Sequence, residues 1–367
     1  MQQLRLAIRF CPPKEPWGSQ RTFALNFLPE FLRLAPDALV FTSLDPKWLP
    51  AGTRVEYAEN PLLVKGTTRK ILALLRYQTR FSARLSSLGI NVLFCPFNNE
   101  GLIYTQGIRQ VLIVHDLIPL VYPKDFPWTK WLWRFLYAPA IRQSKRIITV
   151  SEHTKKDLIQ MVRYPAENID TIFNGWSAGQ ISARSHANHP YLLCVSSSHY
   201  PHKNIERLLR AFALLKAKIP HELHIVGSPT PRFTASLLKL VVDLELQCRV
   251  RFMNSLSGIQ MSQQYANAEM LIYPSLYEGF GLPILEAMAA GLPVCAGHCS
   301  SIPEVAGEAA LYFDPEDVLS MASAINILLT DAGLRGRLLT AGYSNVQRFS
   351  WRKSASECMK TCEAACY

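Results

Sequence analysis

Short apolar segments alternate with amphipathic segments along this chain, and the alternation restricts the possible folds more than any other property of the sequence. In the first half, the apolar or β-branched segments cover residues 4–10, 38–42, 92–95, 111–114 and 146–150. Segments that are apolar along their whole length are typical of parallel strands covered on both faces. Between them, residues 23–34 place Phe23, Phe27, Phe31 and Leu34 at helical spacing. The pattern predicts a doubly wound α/β sheet.

The alternation starts again after a polar stretch. Residues 177–190 are small and polar, and they predict a linker. Beyond it we predict strands over residues 191–196, 222–226, 250–252, 270–273, 294–296 and 310–313, and helices over residues 205–218 and 283–290. A chain of 367 residues, of which 49% are hydrophobic, is long enough for two cores. We therefore expect α/β domains over residues 1–176 and 190–348, with ligands in the crevice at the carboxyl ends of the strands.

Positive charge is concentrated in the first half. Residues 1–180 contain 23 Lys/Arg and 13 Asp/Glu, whereas the remaining residues contain 16 and 15. Two stretches hold many of these cations: Lys65, Arg69, Lys70, Arg76, Arg80 and Arg84, and then Lys130, Arg134, Arg142, Lys145 and Arg146 beside Trp128, Trp131, Trp133, Phe135 and Tyr137. An anionic membrane surface suits this mixture. A solvated helix face with core aromatics explains it as well, and no nucleic-acid-binding motif accompanies it.

The expected location is the cytoplasm, with peripheral binding to the inner face of a membrane as an option. No stretch has the apolar length that a membrane-spanning helix needs. The first residues also lack the long apolar centre of a signal peptide.

Three of the nine cysteines, Cys358, Cys362 and Cys366, recur every four residues near the end of the sequence. This spacing places them on one face of a helix. It matches no usual zinc pattern. We therefore predict thiols packed on the buried face of a last helix, and no metal site.

A strand that leads through a glycine-containing loop into a helix is the most informative segment. Residues 273–294 read YPSLYEGFGLPILEAMAAGLPV, with Glu278 in the loop and Glu286 in the helix. Loop amides and a helix N-terminus attract anions, and the carboxylates are suited to bind hydroxyl groups of the same ligand. An ordinary turn, with glutamates favoured by the helix dipole, explains the residues taken singly. The loop is not a dinucleotide-binding fingerprint, because Ile284 occupies the third glycine position, and no glycine fingerprint of a nicotinamide-dependent enzyme follows the first strand.

Two further loops carry candidate site residues directly after predicted strands. Lys203 precedes a helix that Asn204 is placed to cap. A cation there is unfavourable for the helix dipole, which indicates that it binds an anion, although a solvated lysine is the alternative. In the first half, His115 and Asp116 follow the strand at residues 111–114. The histidine either reaches a ligand in the crevice or makes a hydrogen bond at the edge of the sheet.

Together these motifs resemble glycosyltransferase family 4. The signature of that family has two glutamates separated by seven residues, as Glu278 and Glu286 are, and the flanking residues match as well. The resemblance continues through residues 301–307 and 310–315 and covers most of residues 100–355. It implies the GT-B fold, in which two Rossmann-like domains of doubly wound parallel sheet face a cleft. It also implies a closing helix, residues 349–367, that packs back on the first domain.

The resemblance further implies retaining transfer of a sugar from a nucleotide diphosphate donor, without a metal or other cofactor. Glu278 and His115 are the implied catalytic residues. The implied donor-binding residues are Gly18, Asp116, Lys203, Asn204, Gly279, Phe280, Gly281, Leu282 and Glu286. Among them, Lys203 and the loop amides bind the diphosphate, and Glu286 binds the ribose.

The sequence departs from the family pattern in two places. Ser197 stands where many members have an arginine, and Gln20 replaces the second glycine of the loop that contains Gly18. Either His199 or His202 compensates for the missing cation, or Lys203 and the loop amides suffice.

The sequence HDLIP at residues 115–119 looks like the mannosyl- and rhamnosyltransferase branch of the family. The expected donor is therefore a mannose-like hexose carried by GDP, with UDP as the second choice. The expected acceptor is a glycan or a lipid-linked sugar. A non-catalytic GT-B subunit that binds nucleotide sugars or glycans is the alternative; the pair of glutamates argues against it, and Ser197 leaves room for it.

Overall fold

The computed structural model describes residues 3–11, 18–43, 45, 49–58, 67–105, 107–126, 132–177, 190–254 and 256–367, and only the backbone of residues 18–20 and 67–75. The chain forms two compact units. The first unit comprises Met1–Gly175 and Ser350–Tyr367, and the second comprises Trp176–Phe349. Residues 178–189, most of the predicted linker, lie outside the described part.

A parallel sheet forms the centre of the first unit. Its strands are β1 (Leu6–Phe10), β2 (Leu39–Thr42), β3 (Arg54–Tyr57), β4 (Val92–Cys95), β5 (Arg109–Val114), β6 (Arg146–Thr149) and β7 (Ile169–Thr171). They lie in the order β3-β2-β1-β4-β5-β6-β7. The winding direction changes between β1 and β4, so the carboxyl ends of these two strands flank the position where open α/β sheets bind ligands. Five strands confirm the predicted ones. The edge strands β3 and β7 were not predicted, because they are short and partly exposed and contain no continuous apolar run.

In the described part of the first unit, the α-helices that precede residue 176 are α1 (Gly18–Leu34), α2 (Thr67–Ser87), α3 (Ile118–Val121), α4 (Ala138–Gln143) and α5 (Glu152–Asp157). Helix α1 confirms the predicted aromatic face, because Phe27 and Phe31 are fully buried. The ring of Phe31 stacks on Phe94 of β4 with 4.5 Å between ring centroids. Such pairs add about 0.5–1.5 kcal/mol beyond the burial of area. Leu34, which we expected on the same face, is 48% exposed.

A second parallel sheet forms the centre of the second unit. Its strands are β8 (Tyr191–Ser198), β9 (Glu222–Ser228), β10 (Val250–Met253), β11 (Leu271–Tyr273), β12 (Val294–Gly297) and β13 (Ala310–Phe313), in the order β10-β9-β8-β11-β12-β13. Its helices are α6 (Ile205–Leu215), α7 (Pro231–Asp243), α8 (Gly258–Asn267), α9 (Leu282–Ala289), α10 (Ile302–Ala306), α11 (Val318–Thr330) and α12 (Ala332–Val346). All six predicted strands are confirmed. The winding changes between β8 and β11, so the loops that follow these strands flank the corresponding ligand position.

The closing helix α13 (Trp351–Ala365) belongs to the first unit, where it packs against α1 and β4–β6. Cys358 and Cys362 are buried on this helix, and the buried Cys366 follows its last residue. Burial raises the pKa of the Cys362 thiol, which keeps it protonated. The interpretation of these cysteines as packed core thiols is confirmed.

No helix in the described part of the chain is long and apolar enough to cross a membrane. Within the predicted basic stretches, Lys65, Trp128, Lys130, Trp131 and the side chains of Arg69 and Lys70 lie outside the described residues. The exposed cations there are Arg76, Arg80, Arg84, Arg134, Arg142 and Lys145. Phe135 is 55% exposed, whereas Trp133 is buried. The aromatic residues of the second stretch therefore divide between the surface and the core.

Candidate active site

Lys203 and Glu278 meet at the carboxyl edge of the second sheet. Lys203 ends a short 3₁₀ turn, Pro201–Lys203, between β8 and α6, and Glu278 lies in the loop between β11 and α9. Because β8 and β11 are neighbouring strands, their loops are brought together, and Lys203 Nζ lies 2.7 and 2.9 Å from the two carboxylate oxygens of Glu278. Both residues are 7% exposed. Lys203 is therefore a buried, paired cation, and the interpretation as a solvated loop lysine is wrong.

The close contact with Lys203 keeps the carboxylate of Glu278 ionised. Burial alone raises the pKa of Glu278, but the ammonium group of Lys203 beside it and the hydroxyl of Ser275 outweigh that effect and hold the pKa below its ordinary value. Glu278 is thus ionised near neutral pH. An ionised carboxylate next to an ammonium group can bind hydroxyl hydrogens and an anion side by side.

Asn204 fixes the turn that carries Lys203. Its backbone is left-handed, with φ of +59°. Its side-chain amide donates to the carbonyl oxygens of Pro274, at 3.0 Å, and Pro315, at 2.6 Å. Asn204 precedes α6, but its side chain makes no capping hydrogen bond, so the predicted capping role is wrong. Its side-chain amide instead links the loops after β8, β11 and β13 through these two hydrogen bonds.

The glycine loop between Glu278 and α9 is buried, and one of its residues has a backbone conformation that favours glycine. Gly281 has φ of +110°, and Leu282 begins the helix with Pro283 in its first turn. The Phe280 ring packs edge-on against Phe349 at 5.8 Å between centroids. The loop therefore leads directly into the N-terminus of α9, where partial positive charge favours anions. It consists of Gly279, Phe280, Gly281 and Leu282.

Glu286 lies one turn into α9 and belongs to a different pair. The hydroxyl of Tyr265 donates to its Oε2 at 2.7 Å. Burial raises the pKa of Glu286, against the lowering effect of that hydrogen bond. Tyr265 is a buried residue of α8 that the sequence analysis did not identify.

His115 follows β5 in the first unit and is fixed by the segment after β4. Its Nε2 lies 2.8 Å from the carbonyl oxygen of Pro96, and its backbone N–H donates to Asn98 Oδ1 at 3.2 Å. Burial lowers the pKa of His115 to about 4, so the ring is neutral at physiological pH. A carbonyl only accepts, so the proton is on Nε2, and Nδ1 is left as an acceptor suited to a hydroxyl group. The predicted hydrogen-bonded histidine at the sheet edge is observed, and this bond leaves a second ring nitrogen for a ligand.

Asp116 and Gly18 occupy the same edge of the first sheet. Asp116 Oδ1 accepts the N–H of Ile118 at 3.1 Å and so orders the start of α3. Gly18 is the first residue of α1, and the loop before it, residues 12–17, lies outside the described part.

The two histidines that we considered as substitutes for an arginine do not supply positive charge near neutral pH. Burial, with Lys203 nearby, lowers the pKa of His202 to about 3, and burial also lowers the pKa of His199. Ser197, at the end of β8, is exposed. In the described part of this edge, the positive charge at the glycine loop therefore comes from Lys203.

The turn after β12 makes contacts with this loop that the sequence does not predict. Ser300 Oγ accepts the N–H of Glu278 at 2.9 Å, and Ser301 Oγ contacts the carbonyl oxygens of Glu278 and Phe280. Two serines before a helix are an ordinary signal for a helix start, so the sequence alone does not reveal these contacts.

Two protein-family models match the chain. A model described as Glycosyltransferase Family 4 matches residues 21–178, and one described as Glycosyl transferases group 1 matches residues 189–331. The O-antigen chain mannosyltransferase RfbU of Salmonella typhimurium is 34% identical over 244 residues, which is 65% of this chain and 67% of that protein. The O-antigen chain mannosyltransferase B of Escherichia coli is 30% identical over 266 residues, covering 68% of each chain.

Solved structures show the same fold. Sucrose-phosphate synthase from Thermosynechococcus elongatus superposes with a TM-score of 0.79 at 20% identity, covering 98% of both chains. Anabaena Alr3699/HepE, solved in complex with UDP-glucose, superposes with a TM-score of 0.76 at 18% identity, covering 99% of this chain and 100% of that one.

Proposed function

The chain belongs to glycosyltransferase family 4 and is an enzyme that transfers a sugar from a nucleotide sugar to a glycan acceptor, and we propose the finer details of its reaction from this premise. We propose that the transferred sugar is a mannose-like hexose, that the donor is a nucleoside diphosphate sugar, and that the configuration of the sugar is retained. The buried Lys203–Glu278 pair carries the proposal, because it provides an anion-binding ammonium and a hydroxyl-binding carboxylate at one place. Because the chain is an enzyme, the alternative of a non-catalytic binding subunit is set aside.

Each group has a defined part in the proposed reaction. Lys203 and the amides at the start of α9 bind the diphosphate and offset the negative charge that grows on it as the glycosidic bond breaks. Glu278 and the neutral His115 accept hydrogen bonds from hydroxyl groups of the donor sugar, and Glu286 accepts from the ribose. The leaving diphosphate takes the proton of the acceptor hydroxyl. Because Lys203 and the helix dipole stabilise the leaving group, we propose that the enzyme uses no metal or other cofactor.

A GDP-sugar is the first candidate for the donor and a UDP-sugar the second. Two curated relatives that are named mannosyltransferases support a mannose-like sugar. The structural neighbour that was solved with UDP-glucose supports a UDP-sugar as the second candidate donor. For the acceptor we propose a glycan or a lipid-linked sugar. The enzyme would bind the cytoplasmic face of an anionic membrane through the exposed arginines of α2 and meet the acceptor there.

Glu278→Gln tests the site. Glu278 competes with the diphosphate for Lys203, so the neutral variant should bind the nucleoside diphosphate at least as tightly as the wild type does. It should nevertheless lose transfer activity by about 10²-fold or more, because the sugar loses a charged hydrogen-bond acceptor.

The measurement is turnover with a panel of GDP-, UDP-, dTDP- and ADP-sugars, together with calorimetric titration of the matching diphosphates. NMR of the anomeric proton in the product reports retention. Near-normal turnover by Glu278→Gln would remove Glu278 from the site, and an inverted product would refute retention.

A further inference from the structure

A buried tyrosine holds one of the two carboxylate oxygens of Glu286. The hydroxyl of Tyr265 lies 2.7 Å from Glu286 Oε2. Tyr265 is 5% exposed, whereas Glu286 is partly open to solvent. No described residue makes a hydrogen bond to the other oxygen, Oε1. The protein therefore occupies one oxygen of this carboxylate and leaves the second one for a ligand.

Tyr265 is the donor in this contact and Glu286 is the acceptor. Burial and the nearby carboxylate of Glu286 raise the pKa of Tyr265 well above its ordinary value, so the phenol keeps its proton. Burial also raises the pKa of Glu286, and the hydrogen bond from Tyr265 opposes that effect. The bond thus favours the ionised carboxylate, which accepts hydrogen bonds at both oxygens.

The path of the chain explains how Tyr265 reaches Glu286. Helix α8 leads from β10 to the parallel strand β11, so it runs from the carboxyl edge of the sheet back toward the amino edge, and α9 starts at the carboxyl edge again. Tyr265 lies in the last turn of α8. Side chains on a helix lean toward its N-terminus, so the ring is directed back toward the carboxyl edge. Glu286 lies there, one turn into α9.

We propose that Tyr265 is a positioning residue that holds Oε2 of Glu286 and thereby fixes Oε1 as the acceptor for the ribose hydroxyls of the nucleotide. The proposal rests on the proposed function, in which Glu286 accepts hydrogen bonds from the ribose. Tyr265 does not touch the ligand. It acts through Glu286, because a carboxylate that is held at one oxygen cannot rotate away from its ligand without breaking a buried hydrogen bond.

The expected consequence is specific to the ribose. In Tyr265→Phe, Oε2 loses its donor in a buried environment, which favours rotation of the carboxylate toward water or uptake of a proton. Either change weakens the charge-assisted hydrogen bond that Oε1 accepts. The wild type should bind GDP about tenfold more tightly than dideoxy-GDP, which lacks both ribose hydroxyls, and the variant should reduce this ratio by about fivefold. Binding of the dideoxy nucleotide should change little.

The test is calorimetric titration of each variant with GDP and dideoxy-GDP, and with UDP and dideoxy-UDP. Glu286→Ala gives the ratio of affinities without the ribose acceptor. Tyr191→Phe is the matched control, since Tyr191 is equally buried and its hydroxyl donates to the carbonyl of Gln264, next to Tyr265, at 3.0 Å. The control should keep the wild-type ratio. Tyr265→Met, whose flexible apolar side chain fills the space without a donor, replaces Tyr265→Phe if that variant does not fold.

The outcomes separate the positioning role from the proposed donor site. A smaller ratio in Tyr265→Phe with an unchanged ratio in Tyr191→Phe supports the positioning role. An unchanged ratio in Tyr265→Phe, an equal loss for both nucleotides, or the same fall in the control refutes it, and the donor site stands if Glu286→Ala lowers the ratio. If the wild type binds no nucleotide, or if Glu286→Ala keeps the wild-type ratio, the assignment of Glu286 to the ribose is itself wrong.

Discussion

At the scale of single residues, the buried Lys203–Glu278 pair shows what the sequence can and cannot predict. The residue types and their places after two strands indicated an anion site and a carboxylate, because the strand pattern already placed both loops at the same sheet edge. The sequence could not show that the two side chains pair with each other, nor that Asn204 bridges Pro274 and Pro315. Those contacts depend on loop conformations that tertiary packing decides.

Removing Lys203 should produce a loss of stability that depends on pH. Lys203→Ala leaves a buried carboxylate without its cation, and breaking such a pair costs about 3–5 kcal/mol. In the wild type the lowered pKa of Glu278 means that the pair contributes stability above the ordinary carboxyl pKa and loses it as pH falls through the folded value. In the variant, burial without the cation raises the pKa, so the cost grows as pH rises. The difference in Tm between variant and wild type should be large near pH 8 and much smaller near pH 5.

Lys216→Ala is the control for this measurement, since Lys216 pairs with Glu245 at 3.0 Å on the surface. An exposed pair contributes about 1 kcal/mol or less. Thermal melts across this pH range decide the matter, and a difference that stays constant with pH would contradict the ion-pair explanation.

At the scale of elements, the strand order explains why residues far apart in sequence form the site. The first sheet confirms the predicted inner strands, and the second confirms all of its predicted strands, because most of them contain a buried apolar run. Strands β10 and β13 are partly exposed, yet their short apolar or β-branched segments were sufficient for the prediction. The partly exposed edge strands β3 and β7 lack that signal. The turn after β12 was missed for another reason: hydrogen bonds from a serine to a backbone carbonyl leave no pattern in the sequence.

Gly281→Ala tests the junction between the glycine loop and α9. The φ of +110° is unfavourable for alanine, and the added Cβ would lie 3.3 Å from Ile284 Cδ1. We expect a loss of about 1–3 kcal/mol in the free energy of unfolding. Displaced loop amides should also lower kcat/KM by about tenfold or more.

Gly258→Ala is the matched control, since Gly258 begins α8 and its Cβ would meet no atom within 4 Å. Urea denaturation and steady-state kinetics on both variants provide the comparison. Equal behaviour of the two would mean that the conformation of Gly281 does not matter for the site.

At the scale of the whole molecule, the uneven charge of the sequence has a counterpart on the surface. The excess of Lys/Arg over Asp/Glu in residues 1–180 is 10, compared with 1 in the remainder. Arg76 and Arg80 of α2 are exposed and lie one turn apart, on one face of the helix. Arg84 continues that face but is paired with Glu56 at 2.9 Å. Composition predicted a partner of negative charge, whereas only the structure shows that Arg84 of this exposed face is paired with Glu56.

The face formed by Arg76 and Arg80 is expected to bind anionic membranes. Each exposed cation near an anionic bilayer contributes about 1 kcal/mol, so Arg76→Glu with Arg80→Glu should reduce binding to vesicles that contain anionic lipid by about tenfold or more. Binding of the wild type should also weaken steeply as salt shortens the screening length from about 10 Å at 0.1 M. Vesicle co-sedimentation measures both effects. Lys218→Glu with Lys239→Glu, at exposed positions of the second unit, changes the net charge equally and should leave binding nearly intact. If this control loses as much binding as the α2 variant, net charge alone governs the attraction, and α2 is not the docking face.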